Sequence, residues 1–244
     1  MTQECENGAV GDNGMLGAGC VDPTDFHRSA LLIGLKEEHT TGYNPIKLGV
    51  IASTDTHVSN PGNVKESDWA GSVVGEGTPV ERLQKGILTS GIDGNPGGLA
   101  GIWAEQNTRD SIFNALLRKE VFGTSGPRIR PRFFAGWNIN ENLCNVNEMI
   151  SDAYASGVPM GGDLMPSRSK SFPKFLMHAA KDPEGLNIES IQLVKGWIDE
   201  EGNMNTKVIP VLSEIGGAEI LCKVYTDTEF ENSLPSYYYM SCLL

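Results

Sequence analysis

Asp55 and His57 are the two residues of this sequence whose types and spacing best fit a chemical role. They flank Thr56 and follow the apolar run at residues 48–52, which is typical of a buried strand. Residues i and i+2 of an extended chain point to the same face, so a carboxylate and an imidazole would meet near the end of that strand. Such a pair suits zinc, manganese or iron. A turn capped by Asp55 beside a solvated His57 fits the same residues, and two ligands do not complete a zinc site.

Glu105 and Arg109 form a second pair of candidates. Glu105 ends a predicted strand, where its carboxylate could act as a general base or support a metal ligand. A helix cap or an ion pair with Arg109 is the commoner role of a glutamate in this position.

Thr124 and Ser125 precede Gly126 at the end of another predicted strand. Turns that contain glycine can present backbone N–H groups to an oxyanion, although an ordinary turn is the commoner structure. The pair is therefore a candidate for binding an anionic substrate.

Arg128, Arg130 and Arg132 alternate along the segment that follows. In an extended chain this spacing puts three guanidinium groups on one face, where they could clamp an anionic substrate. A solvated outer face, or packing against an acidic surface of the preceding part of the chain, is the alternative. We take Asp55, His57 and Glu105 as candidate catalytic residues, and Arg109, Thr124, Ser125 and Arg128 as candidate substrate-binding residues.

The elements that must position these residues alternate between helix and strand as far as residue 127. Hydrophobic spacing, hydroxyl caps and Gly or Pro breaks define them. In chain order they are a helix from Thr24 or Asp25 to Gly42, a strand at 48–52, a helix at 78–86, a strand at 99–104, a helix capped by Thr108 and a strand at 121–127.

Beyond residue 127 the pattern changes to short strands separated by Gly and Pro turns, which predicts a β-sandwich or part of one. The predicted strands are at residues 129–137, 175–180, 188–197, 208–211, 220–225 and 237–244. We therefore divide the chain into an α/β portion at residues 1–127 and an all-β, sandwich-like portion at residues 128–244.

Charge and composition exclude several functional classes. The chain has 244 residues with 19 Lys and Arg against 31 Asp and Glu, a net charge of −12. Binding to nucleic acids or anionic membranes needs clustered basic residues, and the sequence contains no basic run. The longest stretch without charged residues, 232–244, is shorter than the roughly 20 residues of a membrane span.

The N-terminus has the wrong charge order for a secretory signal, because Glu4 and Glu6 precede the first basic residue, Arg28. The compartment stays open, with the cytoplasm as the default unless a targeting segment lies outside this chain. The five cysteines are an odd number without C-x-x-C spacing, which predicts buried free thiols rather than a disulfide framework or a zinc ribbon.

Both ends of the sequence lead us to expect a piece of a longer protein. Residues 237–244 have the composition of a strand, yet no turn or polar tail follows them. The first predicted helix and strand are similar to a late unit of an α/β domain that lacks its earlier units.

Several segments together resemble the PHP superfamily, the polymerase and histidinol phosphatase metal-dependent phosphoesterases. The resemblance is to a large uncharacterised branch that carries a C-terminal β extension, and it covers nearly the whole chain. The segments are YNPIKLGVIASTDTH at 43–57, NPGGLAGIWAE at 95–105, residues 108–116, VFGTSGPR at 121–128, GVPMGGDL at 157–164 and QLVKGW at 192–197.

The resemblance implies the C-terminal part of a distorted β/α barrel with two or three divalent metal ions, in which Asp55 and His57 match the last metal-binding motif. Bound metal would polarise a phosphoryl oxygen and generate hydroxide from water. The opening His-x-His motif of the family and most middle ligands are absent from this sequence.

Two functions follow as hypotheses. The first is a fragment of a metal-dependent hydrolase of phosphorylated small molecules, with zinc, manganese or iron as cofactor. The second is a non-catalytic β-rich binding module attached to a barrel remnant. A partial barrel also predicts an exposed apolar surface and self-association into a homo-oligomer.

Overall fold

The computed structural model describes residues 5, 20, 22, 26–53, 98–167 and 171–244. These residues form three α-helices, α1 (His27–Thr41), α2 (Arg109–Leu117) and α3 (Met149–Ser156), and a short 3-10 helix (Leu143–Asn145). No helix within these ranges is long and apolar enough to cross a membrane. The strands are β1 (Leu99–Ile102), β2 (Val121–Thr124), β3 (Arg130–Gly136), β4 (Val158–Pro159), β5 (Lys174–Ala180), β6 (Ile188–Ile198), β7 (Met204–Ala218), β8 (Ile220–Thr226) and β9 (Ser236–Leu243).

The strands make three antiparallel sheets, so the expected β/α barrel is wrong for the described residues. The sheets have the orders β1-β2, β4-β3-β5-β8 and β7-β6-β9. A barrel of the predicted kind needs parallel neighbours. Here α2 returns the chain so that Leu99 pairs with Thr124 and Ile102 with Val121, in opposite directions.

The predicted buried strand at residues 48–52 is also wrong. These residues join no ladder in the described structure, and the side chains of Leu48, Val50 and Ile51 are 40 to 58% exposed. The apolar composition of the segment was typical of a strand, but an apolar run forms a strand only where a neighbour supplies hydrogen bonds.

The first helix confirms its predicted end. Gly42 adopts a left-handed conformation at φ 79°, and its N–H donates to the carbonyl of Glu38 at 2.8 Å. Glycine takes this conformation without a Cβ clash, which is why helices often end there. On its inner side, α1 packs Leu32 and Leu35 against Ile198 and Tyr237 of the β7-β6-β9 sheet.

The second helix confirms its predicted cap, although it does not bury all of its apolar residues. The Thr108 hydroxyl accepts the N–H of Ser111 at 3.3 Å, as expected of a hydroxyl N-cap. Phe113 and Leu117 are nevertheless 58% and 64% exposed, while Ala115 is fully buried. The apolar stripe of α2 therefore lacks a cover in the described part of the chain.

The main core lies where the four-stranded and three-stranded sheets pack face to face. Alternation along β5 divides its side chains, so that Phe175 and Met177 meet Ile191 and Leu193 of β6. Leu176 points to the other face, into a second cluster with Phe134, Ile139, Leu143 and Ala153 beneath α3 and the 3-10 helix. The central strand β5 is consequently buried on both faces.

Disulfides replace the predicted free thiols. Cys144 of the 3-10 helix bonds to Cys222 of β8, with a Cα–Cα distance of 5.8 Å, and Cys5 bonds to Cys20. Cys242 is the free cysteine. The partners in β8 and the 3-10 helix are 78 residues apart, so no local spacing marks them as a pair.

The Cys144–Cys222 bond should contribute strongly to stability. By the loop-entropy argument, closing a loop of this length stabilises the fold by roughly 4 kcal/mol. We expect the Cys144→Ser/Cys222→Ser variant to unfold at a clearly lower urea concentration than the unreduced wild type. The Cys5–Cys20 disulfide closes a shorter loop, so Cys5→Ser/Cys20→Ser should lower the free energy of unfolding by less. Equal midpoints for wild type and the first variant would contradict this role.

Candidate functional site

A cleft of about 1180 Å³ is the candidate site. Strand β9 forms one side, and residues 46–50, β2 and residues 158–166 form the other. Phe133 and Phe175, on neighbouring strands of the four-stranded sheet, line its floor. Its volume lies slightly above the usual range of about 300–1,000 Å³ for small-molecule sites.

Aromatic side chains give the cleft its chemical character. The rings of Trp137 and Phe230 lie 5.7 Å apart, and those of Phe175 and Tyr238 lie 4.5 Å apart. The Trp137 indole N–H donates to the carbonyl of Met165 at 2.9 Å, which fixes the orientation of the ring. Ordered aromatic faces favour a ring or another apolar group of a ligand.

Charged groups occur at the entrance of the cleft and are already engaged. Lys47 pairs with Asp163 at 3.2 Å, and both side chains are substantially exposed. The Lys119 ammonium donates to the carbonyl of Lys47 at 3.2 Å. These contacts tie residues 46–50 to the neighbouring loop at 158–166 and to the segment between α2 and β2, so they stabilise this side of the cleft.

A buried ion pair supports the β9 side of the cleft. Lys195 lies 2.7 Å from Asp227, and both side chains are at least 93% buried. Asp227 also accepts the hydroxyl of Tyr238 at 2.7 Å, while Lys195 donates to the carbonyl of Glu229 at 3.1 Å. Burial and the neighbouring Asp227 raise the pKa of Tyr238, so its hydroxyl stays protonated and donates.

Removing one member of this pair should cost far more than removing both. Asp227→Asn leaves the Lys195 charge buried without its counter-ion, and such losses are about 3–5 kcal/mol. Lys195→Met/Asp227→Leu removes both charges and should lose markedly less than Asp227→Asn alone, as measured by urea unfolding. The exposed pair Lys207–Glu229 supplies a control, whose disruption should change stability little. Additive losses at Lys195 and Asp227 would contradict the coupling.

Asp55 and His57, the principal predicted metal ligands, lie outside the described residues. The chain that leads to them runs along β2. A β-carbon on Gly123 would lie 3.0 Å from that of Ala52, and one on Gly98 would lie 2.7 Å from the carbonyl oxygen of Ser53. Ser53 and Gly98 thus end their described segments side by side, next to the cleft wall formed by Gly123.

Thr124 and Ser125 line the cleft. The N–H of Gly126 already donates to the Thr124 hydroxyl at 3.3 Å, an arrangement typical of a turn stabilised by threonine. That N–H is therefore engaged within the turn, and Ser125, which is exposed, remains available to a ligand.

The other predicted site residues lie away from the cleft. Glu105 and Arg109 are exposed at the turn before α2 and at its first residue, and neither lines the cleft. Arg128 donates its backbone N–H to Asp182 at 2.7 Å and also lies outside the cleft lining. The structure therefore brings together Thr124 and Ser125, but not Glu105, Arg109 or Arg128.

Arg132 has a structural role. Its guanidinium lies 3.3 Å above the Trp103 ring and 3.7 Å from the buried Glu120 carboxylate. Tyr154 also donates to Glu120, and the Trp103 indole N–H donates to the carbonyl of Pro131 at 2.9 Å. Of the alternatives for the arginine series, this position shows packing against an acidic group of the preceding part of the chain.

His178 lies between Arg132 and Cys222 in the strand register. Its Nδ1 is buried without a hydrogen-bond partner among the described residues. Burial, and then the charges of Arg132 and Arg130, lower the pKa of His178 below its usual value of 6.5. The folded protein therefore holds this imidazole neutral under conditions in which the unfolded chain protonates it.

This difference predicts acid sensitivity. As the pH falls through about 6.5, the unfolded state takes up a proton at His178 before the folded state does, so the free energy of unfolding decreases. His178→Gln removes this proton uptake. We expect a smaller loss of urea stability between pH 8 and pH 5 in this variant than in the wild type. An unchanged pH dependence would show that His178 is not responsible.

A complete metal site does not lie within the described ranges, which contain no group of three His, Cys, Asp or Glu side chains able to hold a metal ion. Protein-bound zinc takes at least three protein ligands. A metal centre that uses Asp55 and His57 needs at least one further protein ligand.

A family model described as "Protein of unknown function (DUF3604)" matches residues 16–216. The chain belongs to this family. The match covers the three α-helices, strands β1 to β6 and most of β7. No curated protein and no solved structure matches the chain. The DUF3604 description carries no activity, so the function has to be argued from the site.

Several residues of the cleft were missed from the sequence. Alternation along the predicted strand marked Trp137 as a strand residue but gave no reason to place it in a site. The buried pair Lys195–Asp227 joins residues 32 positions apart, and local spacing contains no signal for it. The three consecutive tyrosines at 237–239 were the one visible cue, because an aromatic run at a strand edge often lines a ligand site.

Proposed function

We propose that this chain is part of a metal-dependent hydrolase of phosphoesters, in which Asp55 and His57 bind a divalent metal ion and the aromatic cleft receives the organic part of the substrate. The proposal joins the Asp-x-His spacing and the resemblance to PHP phosphoesterases with the geometry of the cleft. One observation carries it: the segment that leads directly to Asp55 forms a wall of the cleft.

The path of residues 46–53 supports this combination. Gly49 lies against Val121, and Ala52 lies against Gly123, so the segment runs in the same direction as β2. Beyond Gly123, β2 ends at Thr124 and the chain turns at Ser125, and both residues line the cleft. The sequence reaches Asp55 two residues after Ser53, and the predicted ligands therefore follow a segment that is fixed beside these polar residues.

The residues that line the cleft are suited to different parts of a phosphoester substrate. Trp137, Phe230 and Tyr238 offer aromatic faces to an apolar leaving group, and Ser125 offers a hydroxyl to an oxygen of the ester. Lys47 and Lys119 are engaged in contacts of the entrance, so the neutralisation of the phosphoryl charge would fall to the metal. That centre needs zinc, manganese or iron, with ligands in addition to Asp55 and His57.

A non-catalytic binding module is the second candidate. It is favoured by the position of the cleft, whose floor and one side belong to the β-rich portion. In that case the cleft would bind a small molecule without metal, and Asp55 and His57 would be dispensable for binding.

Metal content separates the two candidates. We expect the chain to bind Mn²⁺ or Zn²⁺ stoichiometrically, and Asp55→Ala/His57→Ala to lose this binding, because both ligands are removed. Mass spectrometry of metal content and calorimetric titration measure it. His39→Ala, which changes an exposed histidine of α1, serves as the control and should bind metal like the wild type.

Hydrolysis of 4-nitrophenyl phosphate then tests the reaction. Activity should depend on added metal, and Trp137→Ala should raise KM more than it lowers kcat, because the ring contacts the organic group in the ground state and the transition state alike. Metal binding that is equal in the wild type and the double variant, or absent from both, would contradict the hydrolase proposal for this chain and favour the binding module.

A further inference from the structure

The cysteines of this chain are arranged as they are in proteins that fold under oxidising conditions. Four of the five lie in pairs, with Cα–Cα distances of 4.8 Å for Cys5–Cys20 and 5.8 Å for Cys144–Cys222. Both distances lie within the range of native disulfides. Two such pairs in one chain are uncommon in the cytosol, where glutathione and thioredoxin keep thiols reduced.

The Cys144–Cys222 disulfide links the 3-10 helix to the four-stranded sheet. Cys144 belongs to the short 3-10 helix, and Cys222 belongs to β8, the edge strand of the four-stranded sheet. Around them lie Leu143, Ile139 and Leu176, the buried residues of the cluster beneath α3. The bond therefore fastens an irregular segment, 137–148, over this cluster.

Both cysteines of this pair can be reached from solvent. They line a surface depression of about 460 Å³ together with His178, Glu148 and Met149. Thiol–disulfide exchange needs an approach of the partner to one sulfur, and the depression provides it. The bond can therefore form after the sheet and the 3-10 helix have come together.

The fifth cysteine is half-buried in the wall of the large cleft and is a weak nucleophile for exchange. Cys242 packs against the core between the two sheets, and burial raises the pKa of its thiol to about 12. Because the thiolate is the nucleophile in disulfide exchange, Cys242 is a poor attacking group at neutral pH. Once the two sheets have packed, Cys242 therefore competes poorly with the four paired cysteines for disulfide formation.

We infer that this chain folds and works in an oxidising compartment, where an oxidised dithiol protein or a small-molecule disulfide converts Cys5–Cys20 and Cys144–Cys222 into disulfides. In each exchange, two thiols of the chain lose two electrons and two protons and form one S–S bond. The oxidant gains these electrons and protons, and its disulfide becomes two thiols. The inference is independent of the proposed hydrolase function and assigns the environment in which that function would operate.

The thiol state of the chain in cells tests it. The full chain is produced once in a reducing bacterial cytosol and once exported to the periplasm, and each sample is acid-quenched and alkylated with N-ethylmaleimide under denaturing conditions. We expect one adduct, on Cys242, in the exported chain and five in the cytosolic chain. In the exported Cys242→Ala variant the single adduct should disappear, which assigns the free thiol.

Resistance to protease shows whether the fold needs the bonds. The cytosolic chain, kept reduced, should be digested more than about tenfold faster than the exported chain, because proteolysis follows the population of opened molecules. Three or five adducts in the exported chain would overturn the inference. So would equal protease resistance of the two forms, because the fold would then be indifferent to the compartment.

Discussion

The contact between Phe175 and Tyr238 is the constraint on which most of this structure depends. Their rings, 4.5 Å apart, join the four-stranded sheet to the three-stranded sheet. The Tyr238 hydroxyl simultaneously donates to Asp227, which neutralises the buried Lys195. One side chain therefore sets the distance between the sheets, satisfies a buried carboxylate and forms part of the cleft. A polar group buried at this position is stable only because each of its partners is in place.

A second contact fixes the β1–β2 sheet beside this core. Arg132 of β3 stacks on Trp103 and faces Glu120, residues that flank β1 and β2. The Trp103 indole N–H donates to the carbonyl of Pro131 in β3. Side chains of both segments therefore contribute to this contact. Residues 46–53 lie on the outer side of β2. The cleft therefore has one wall held by the ion pair below Tyr238 and one wall held by this arginine.

The parts of the fold that were predictable from sequence depend on local pattern. The short run at 175–180, bounded by the turn at 182–185, identified β5, and the Thr108 hydroxyl and Gly42 marked helix ends. Long-range pairing was not predictable: no periodicity distinguishes β1 and β2 as antiparallel partners, and nothing near Cys144 points to Cys222. Of the predicted site, Thr124 and Ser125 line the cleft, whereas Glu105, Arg109 and Arg128 lie elsewhere. Their positions were not predictable, because the sequence around an exposed charged residue does not show which surface of the protein it faces. For Asp55 and His57 the metal role stays a prediction.

The central claim is that the segment leaving the cleft wall carries metal ligands next to a site for an organic phosphoester. Anomalous diffraction from crystals soaked in Mn²⁺ tests it most directly, because it locates the ion independently of activity. The account predicts an anomalous peak bound by Asp55 and His57, beside Ser125 and open to the cleft. A peak on other residues, or no peak at all, would contradict it.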